Sequence, residues 1–143
     1  MDLESGQSQI IVTLENLCKE YPIPKEASFA YFNHLEFNHG GDRFIFILRY
    51  IVDQKRISRL FSADIDGKDI HLLADDEMVS HCTWKDDRHI TLWCRLNGKN
   101  NYYTITDSDE AEAVILGLHA PKEDGHPTYN KDHTLMITDT YPD

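Results

Sequence analysis

No apolar run in this chain approaches the roughly 18 residues that a membrane-spanning helix needs. The first thirty residues lack a basic start followed by an apolar block, so no signal peptide is visible. Cysteine is sparse: Cys18, Cys82 and Cys94 form an odd set without CxxC spacing. That pattern supports neither a disulfide framework nor a zinc ribbon, and it suits buried or idle thiols in a reducing compartment. Glycine is sparse too, with seven in all, and Gly40-Gly41 reads only as a turn. A phosphate-cradling glycine loop, a nucleophile elbow and a general acid/base pair are all missing. Positive charge is in deficit, with 14 Lys+Arg against 25 Asp+Glu and a net charge of −11. Nucleic acid and anionic membranes are therefore disfavoured as partners, because their phosphates need a basic face. A small anionic ligand held by a local cation or metal remains compatible with that charge.

What the chain does contain is a repeat. His34, His81 and His126 recur at intervals of 47 and 45 residues, and each is followed three positions later by an aromatic: Phe37, Trp84 and Tyr129. A short polar turn comes next, and then a β-type run: "FIFILRY", "ITLWC" and "TLMIT". A second register runs alongside. "DLESG" at 2–6, "ADIDG" at 63–67 and "TDSDE" at 106–110 read as hairpin turns, followed by "IIVTL", "IHLL" and "AVILGL". A repeat of about 45 residues with four short strands is the signature of a β-propeller blade. The spacing predicts an all-β chain: a fragment of a β-propeller with two complete four-stranded blades plus two partial blades.

The expected boundaries follow. Residues 1–14 are outer strands of a partial blade. Residues 15–33 are an inserted connection, with one helical turn near Leu14–Cys18 that Tyr21-Pro22-Ile23-Pro24 ends. Residues 34–78 and 79–124 are whole blades, and 125–143 are the inner half of a truncated one. A closed propeller needs roughly four to eight blades, so the expectation is a piece of something about two to three times longer, with apolar faces and strand edges left open.

In a propeller, the loop into each innermost strand and the loop out of the second strand lie at one mouth. This would gather His34, His81 and His126 from the first set, and Arg49, Arg95 and Asp139 from the second. Neutral imidazoles suit a divalent transition metal, and a substrate carboxylate can complete its shell. The same histidines could instead hydrogen-bond the neighbouring blade. Arg49 and Arg95 either bind a carboxylate bidentately or are ordinary exposed arginines. Asp139 either orients a histidine, contacts a sugar hydroxyl or caps the loop before Pro142. Phe37, Trp84 and Tyr129 read as blade core. His39, His71, His89, His119 and His133 read as solvated surface, and Asp42, Asp86, Asp87 and Asp132 as turn formers.

The aromatic–turn–strand pattern resembles the WD40-like repeats of TolB-type propellers. More closely, "NHLEFNHGGDRFIF", "SHCTWKDDRHITLW" and "DGHPTYNKDHTLMITD" resemble consecutive blades of the oligogalacturonate lyase family, over most of residues 34–143. The resemblance implies a cytoplasmic propeller that cleaves short pectin oligosaccharides, small and anionic, by β-elimination. Its cofactor would be a divalent metal of the manganese type, held by histidines and a glutamine, with an arginine as base. It makes His81 a metal ligand and His126 a second one at the matching position of the next blade, and it makes His34 a catalytic-site histidine beside the substrate. By the propeller geometry above, and not by the resemblance, Arg49, Arg95 and Asp139 would face the substrate. The other metal ligands would lie in a blade beyond Asp143 and the base in one before Met1. The remaining blades of the full-length chain are thus implied partners, and the activity would be incomplete without them. Two rival readings are a non-catalytic TolB-like propeller that binds a protein or glycan, and the propeller cap of a serine peptidase.

Overall fold

The computed structural model describes residues 1–117 and 120–140. Among the described residues the fold is predominantly β, with antiparallel sheets and a single short helix. The helix, α1 (Leu14–Glu20), is N-capped by Thr13, whose hydroxyl accepts from the Asn16 amide, and it buries Leu17. The first sheet holds β1 (Ser28–Phe37), β2 (Arg43–Val52), β3 (Lys55–Asp64) and β4 (His71–Ala74) in sequence order. The second holds β5 (Val79–Trp84), β6 (His89–Leu96), β7 (Lys99–Thr106) and β8 (Ala113–Ile115), also in sequence order. A two-stranded ribbon follows, made of β9 (Thr128–Tyr129) and β10 (Met136–Ile137).

Strand β2 shows why its sequence is nearly all apolar. Phe44, Phe46, Leu48 and Tyr50 enter one cluster with Leu17 and Phe61, while Ile45 and Ile47 enter another with Trp84, Ile90 and Leu92. A strand covered on both faces loses the usual polar alternation. The second cluster joins the two sheets. The first lies between the first sheet and the segment around α1, where Tyr21 meets the Phe61 ring edge-on at 5.2 Å and donates its hydroxyl to the Ile70 carbonyl.

The central hairpins close through two-residue loops in which both residues have positive φ: Asp53-Gln54 between β2 and β3, and Asn97-Gly98 between β6 and β7. This is the turn whose twist matches that of paired strands. The polar turn after each repeated aromatic is built on one side chain. Asn38, Asp86 and Asn130 each accept from two backbone amides further along the turn.

Two expected boundaries move. Strand β1 starts at Ser28, inside the stretch expected to be an inserted connection, because Ala30 and Phe32 face the α1 cluster while Phe29 and Tyr31 face outward. Residues 1–14, expected to supply outer strands, carry a turn closed by Asp2 and Gln7, no strand, and at Leu14 the first residue of α1. Residues 1–10 are exposed, and Ile11 runs close beneath the β3–β4 turn. Gly67 there has φ +70°, and a Cβ on it would sit 2.4 Å from the Ile11 carbonyl oxygen, so only glycine admits this approach. Among the described residues, no helix is long and apolar enough to cross a membrane.

Candidate functional site

The first and second sheets share a local irregularity. Pairing of β1 with β2 slips between Asn33 and Glu36, and pairing of β5 with β6 slips between Val79 and Cys82. A bulge leaves one residue out of the ladder and re-aims its side chain. His34 lies in the first slip, with φ 52°, and His81 in the second. His34 is therefore a bulge residue inside β1, not the residue that starts it.

The three repeated imidazoles come together. The rings of His34 and His81 lie 5.3 Å apart, centroid to centroid, and those of His81 and His126 lie 4.0 Å apart. Two of them are oriented by carboxylates. His81 Nδ1 is 3.1 Å from Asp124 Oδ1, and the Ser80 hydroxyl donates to the other oxygen of Asp124 at 2.5 Å. His126 Nδ1 is 3.0 Å from Asp139, which also accepts from the His126 backbone amide at 2.6 Å. Those bonds to His126 hold the exposed Asp139 carboxyl below the usual carboxylate range. Gly125 permits the arrangement, since a Cβ there would fall 1.8 Å from the Asp139 carbonyl oxygen. Tyr102 fixes this corner from the second sheet, with its hydroxyl 3.1 Å from the Gly125 carbonyl and 2.9 Å from Thr138 Oγ1.

Arg49 is buried at 7% exposure, where an exposed arginine was the alternative to a ligand-binding one. Its Nη2 donates to the Ser80 carbonyl at 3.0 Å, its buried Nε has no hydrogen-bond partner, and no ion pair engages it among the described residues. Desolvation, followed by the charge of Arg56, pulls its pKa down. The same guanidinium acts on His34. Desolvation by the surrounding protein, then the charges of Arg49, His81 and His126, push the His34 pKa below 6.5 although part of that ring stays in solvent. His34 is thus kept neutral beside a buried cation.

The other expected residues divide. Asp139 orients a histidine, one of its three expected roles. Pro142, part of the capping alternative, and His119 lie outside the described residues. Arg95 is drawn to Asn100, with Nε 3.0 Å from its side-chain oxygen, and stands 3.9 Å from Glu77. Among the described residues, no group of three or more His, Cys, Asp or Glu side chains is placed to hold a metal ion. His81 and His126 have the outer-sphere carboxylates typical of metal-bound imidazole, yet they amount to only part of a coordination shell.

A second polar cluster was not anticipated. His71, expected on the surface, is 12% exposed with Nδ1 2.9 Å from Asp107. Asp107 also accepts from Arg43 and from the Ser62 hydroxyl, and Arg43 Nη1 bonds Asp69 at 2.8 Å. This network fastens the first sheet to the loop after β7. Its one sequence signal was the 43-residue spacing of Asp64 and Asp107, which marks a repeat but not a partner. His39 and His133, also expected in solvent, approach to 4.4 Å between ring centroids.

Comparison with protein-family models, with curated proteins and with solved structures finds no match to this chain.

Proposed function

We propose that the two four-stranded sheets and the ribbon are consecutive blades of a β-propeller, and that this propeller is a metal-dependent, oligogalacturonate-lyase-like enzyme acting on uronic-acid oligosaccharides. The blades that complete the ring come from outside these residues. One observation carries the reading: a buried guanidinium with no carboxylate partner among the described residues acts on the charge of His34, whose ring meets that of His81, which in turn meets that of His126. An uncompensated buried cation is costly, and an anionic ligand offsets that cost.

β-Elimination removes a carbon-bound proton next to the uronate carboxylate. A divalent metal of the manganese type, held by His81 and His126 with further ligands from elsewhere, supplies a positive centre for that carboxylate when bound. Asp124 and Asp139 fix the orientation of the two ligating rings, and with Nδ1 engaged, Nε2 is the nitrogen a metal would use. Arg49 offers its charge to the same carboxylate. His34, kept neutral, stands beside the substrate, and the base comes from another blade. Arg95, bonded to Asn100, is left out of this assignment.

The alternative is a non-catalytic TolB-like propeller that binds a protein or glycan. The incomplete metal shell favours it, as does the bond from Arg49 to the Ser80 carbonyl.

The deciding experiment titrates the full-length protein, with its remaining blades, with Mn²⁺ by electron paramagnetic resonance, then adds oligogalacturonate and follows the ultraviolet absorbance of an unsaturated product. The lyase reading expects metal binding that His81→Ala abolishes, together with product. Oligogalacturonate binding without product selects the binder. Equal metal retention by His81→Ala and wild type overturns the site.

A further inference from the structure

His34 and His126 precede the ends of β1 and β9, and two further histidines, His39 and His133, lie in the turns that follow those strands. One turn belongs to the first sheet and the other to the ribbon, yet the two rings stand 4.4 Å apart, centroid to centroid, tilted by 40°.

Both turns are fixed by their own backbones. Asn38 Oδ1 accepts from the Asp42 and Arg43 amides, and Asn130 Oδ1 accepts from those of Thr134 and Leu135. The second sheet holds each turn in place. Asp87 accepts from the Gly40 amide at 2.7 Å, and Thr91 Oγ1 lies 2.8 Å from the Tyr129 hydroxyl. His133 has φ 54°, a left-handed conformation uncommon for a residue with a side chain, and its amide donates to the Asn130 carbonyl at 2.9 Å. Its ring meets Tyr129 edge-on at 6.5 Å.

The rings of His71, His81, His89 and His126 each engage a carboxylate through Nδ1. Those of His39 and His133 have no hydrogen bond or ion pair among the described residues. Two imidazoles bound side by side on one ion, each at about 2.0 Å, have centroids roughly 4 to 5 Å apart. Imidazole suits copper, nickel and zinc ions, and copper binds tightest. The net charge of −11 favours a cation over an anion as the ligand.

We propose that His39 and His133 form a two-histidine site for a late first-row divalent ion, which clips the turn after β1 to the turn after β9. His39 is exposed, so its ring is free to turn a nitrogen toward the ion while the turn itself stays fixed. Among the described residues no group of three or more His, Cys, Asp or Glu is placed to hold a metal, so water or a small oxygen ligand completes the shell. The site shares no residue with the proposed manganese site and stands whether or not the propeller is a lyase.

The test counts Cu²⁺ bound at neutral pH by the full-length protein, with its remaining blades, using titration calorimetry. The proteins are the wild type, His39→Ala, His133→Ala, the double variant, His81→Ala and His81→Ala combined with His39→Ala. Each single change at His39 or His133 should remove one Cu²⁺ equivalent. The double variant should also lose one equivalent and not two, because both rings serve the same ion. His39→Ala should remove one equivalent from the His81→Ala protein as it does from wild type. A His39→Ala or His133→Ala protein that keeps the wild-type count overturns the proposal. So does a double variant that loses two equivalents, which makes the rings independent ligands, and so does an unchanged count when His39→Ala is added to His81→Ala. Near-ultraviolet circular dichroism from Trp84 and Trp93 verifies each fold. Where an Ala variant loses that signal, His39→Gln or His133→Gln replaces it with the same expectations.

Discussion

His81 and His126 lie with their rings 4.0 Å apart although one sits in a bulge of the second sheet and the other precedes the ribbon. Each ring is held through Nδ1 by a carboxylate, Asp124 for His81 and Asp139 for His126. Outer-sphere carboxylates of this kind change metal affinity by about 10- to 100-fold. On the metal-dependent function proposed above, Asp124→Asn should weaken Mn²⁺ binding within that range while the melting temperature moves little. Paramagnetic resonance titration and thermal melting read the two effects separately. Unchanged Mn²⁺ affinity would mean that Asp124 does not orient a ligand.

The Asp139 contact depends on a glycine that touches no ring. A methyl group at Gly125 would collide with the Asp139 backbone, and the Thr138 hydroxyl lies only 2.6 Å from the same point. Gly125→Ala should push β10 away from the loop, cost more than about 1 kcal/mol through overpacking, and release Asp139 from His126. The His126 ring protons, followed by nuclear magnetic resonance, should then resemble those of Asp139→Asn. A His126 spectrum like that of wild type would show that the corner yields elsewhere.

Asp107 anchors the two large sheets. Burial alone would raise its pKa, but the hydrogen bonds from Arg43, Ser62 and His71, with the Arg43 charge, outweigh burial and hold it below 3.8. A depressed carboxyl adds stability that is complete above its unfolded value and is lost as pH falls through the folded one. Unfolding free energy should thus decline on acidification below about pH 3.8. Asp107→Asn should remove that limb and cost roughly 3 kcal/mol at neutral pH, since Arg43 is left without a buried partner. Urea melts of both proteins from neutral to acidic pH make the comparison. Parallel pH profiles would place the acid sensitivity in other carboxyls.

Much of the β architecture was legible because it is periodic. The His-x-x-aromatic recurrence and the run "FIFILRY" locate β2, β6 and β10. The start of β1 was hidden because Phe29 and Tyr31 follow directly on a proline-interrupted stretch, and the alternation shows only once the α1 cluster covers one face. The meeting of His34, His81 and His126 was readable from their similar spacing of 47 and 45 residues. The burial of Arg49 was not, because it depends on a carbonyl of the next sheet 31 residues away. His71 and Asp107 escaped for the same reason. Each looks like a turn residue in its own neighbourhood, and their contact joins different sheets.

The thiols provide a test of core packing that is independent of any ligand. Burial, then the Asp76 charge, pushes the Cys94 thiol up to about 12. Burial, then Glu36, raises Cys82 as well, and the nearby Arg49 reduces that effect only in part. At pH 8 a thiol with a pKa of about 12 is ionised to about one part in 10⁴, and the thiolate is the reactive form. Native protein treated with a disulfide reagent should therefore release one fast equivalent, from Cys18 on α1, a slower one from the half-buried Cys82, and the Cys94 equivalent only at the rate of unfolding. Cys18→Ser should erase the fast phase and leave the slow phases unchanged. Fast release of the Cys94 equivalent in that variant would show that the interface between the two sheets opens readily, contrary to the close packing of Trp84, Ile90 and Leu92 around Cys94.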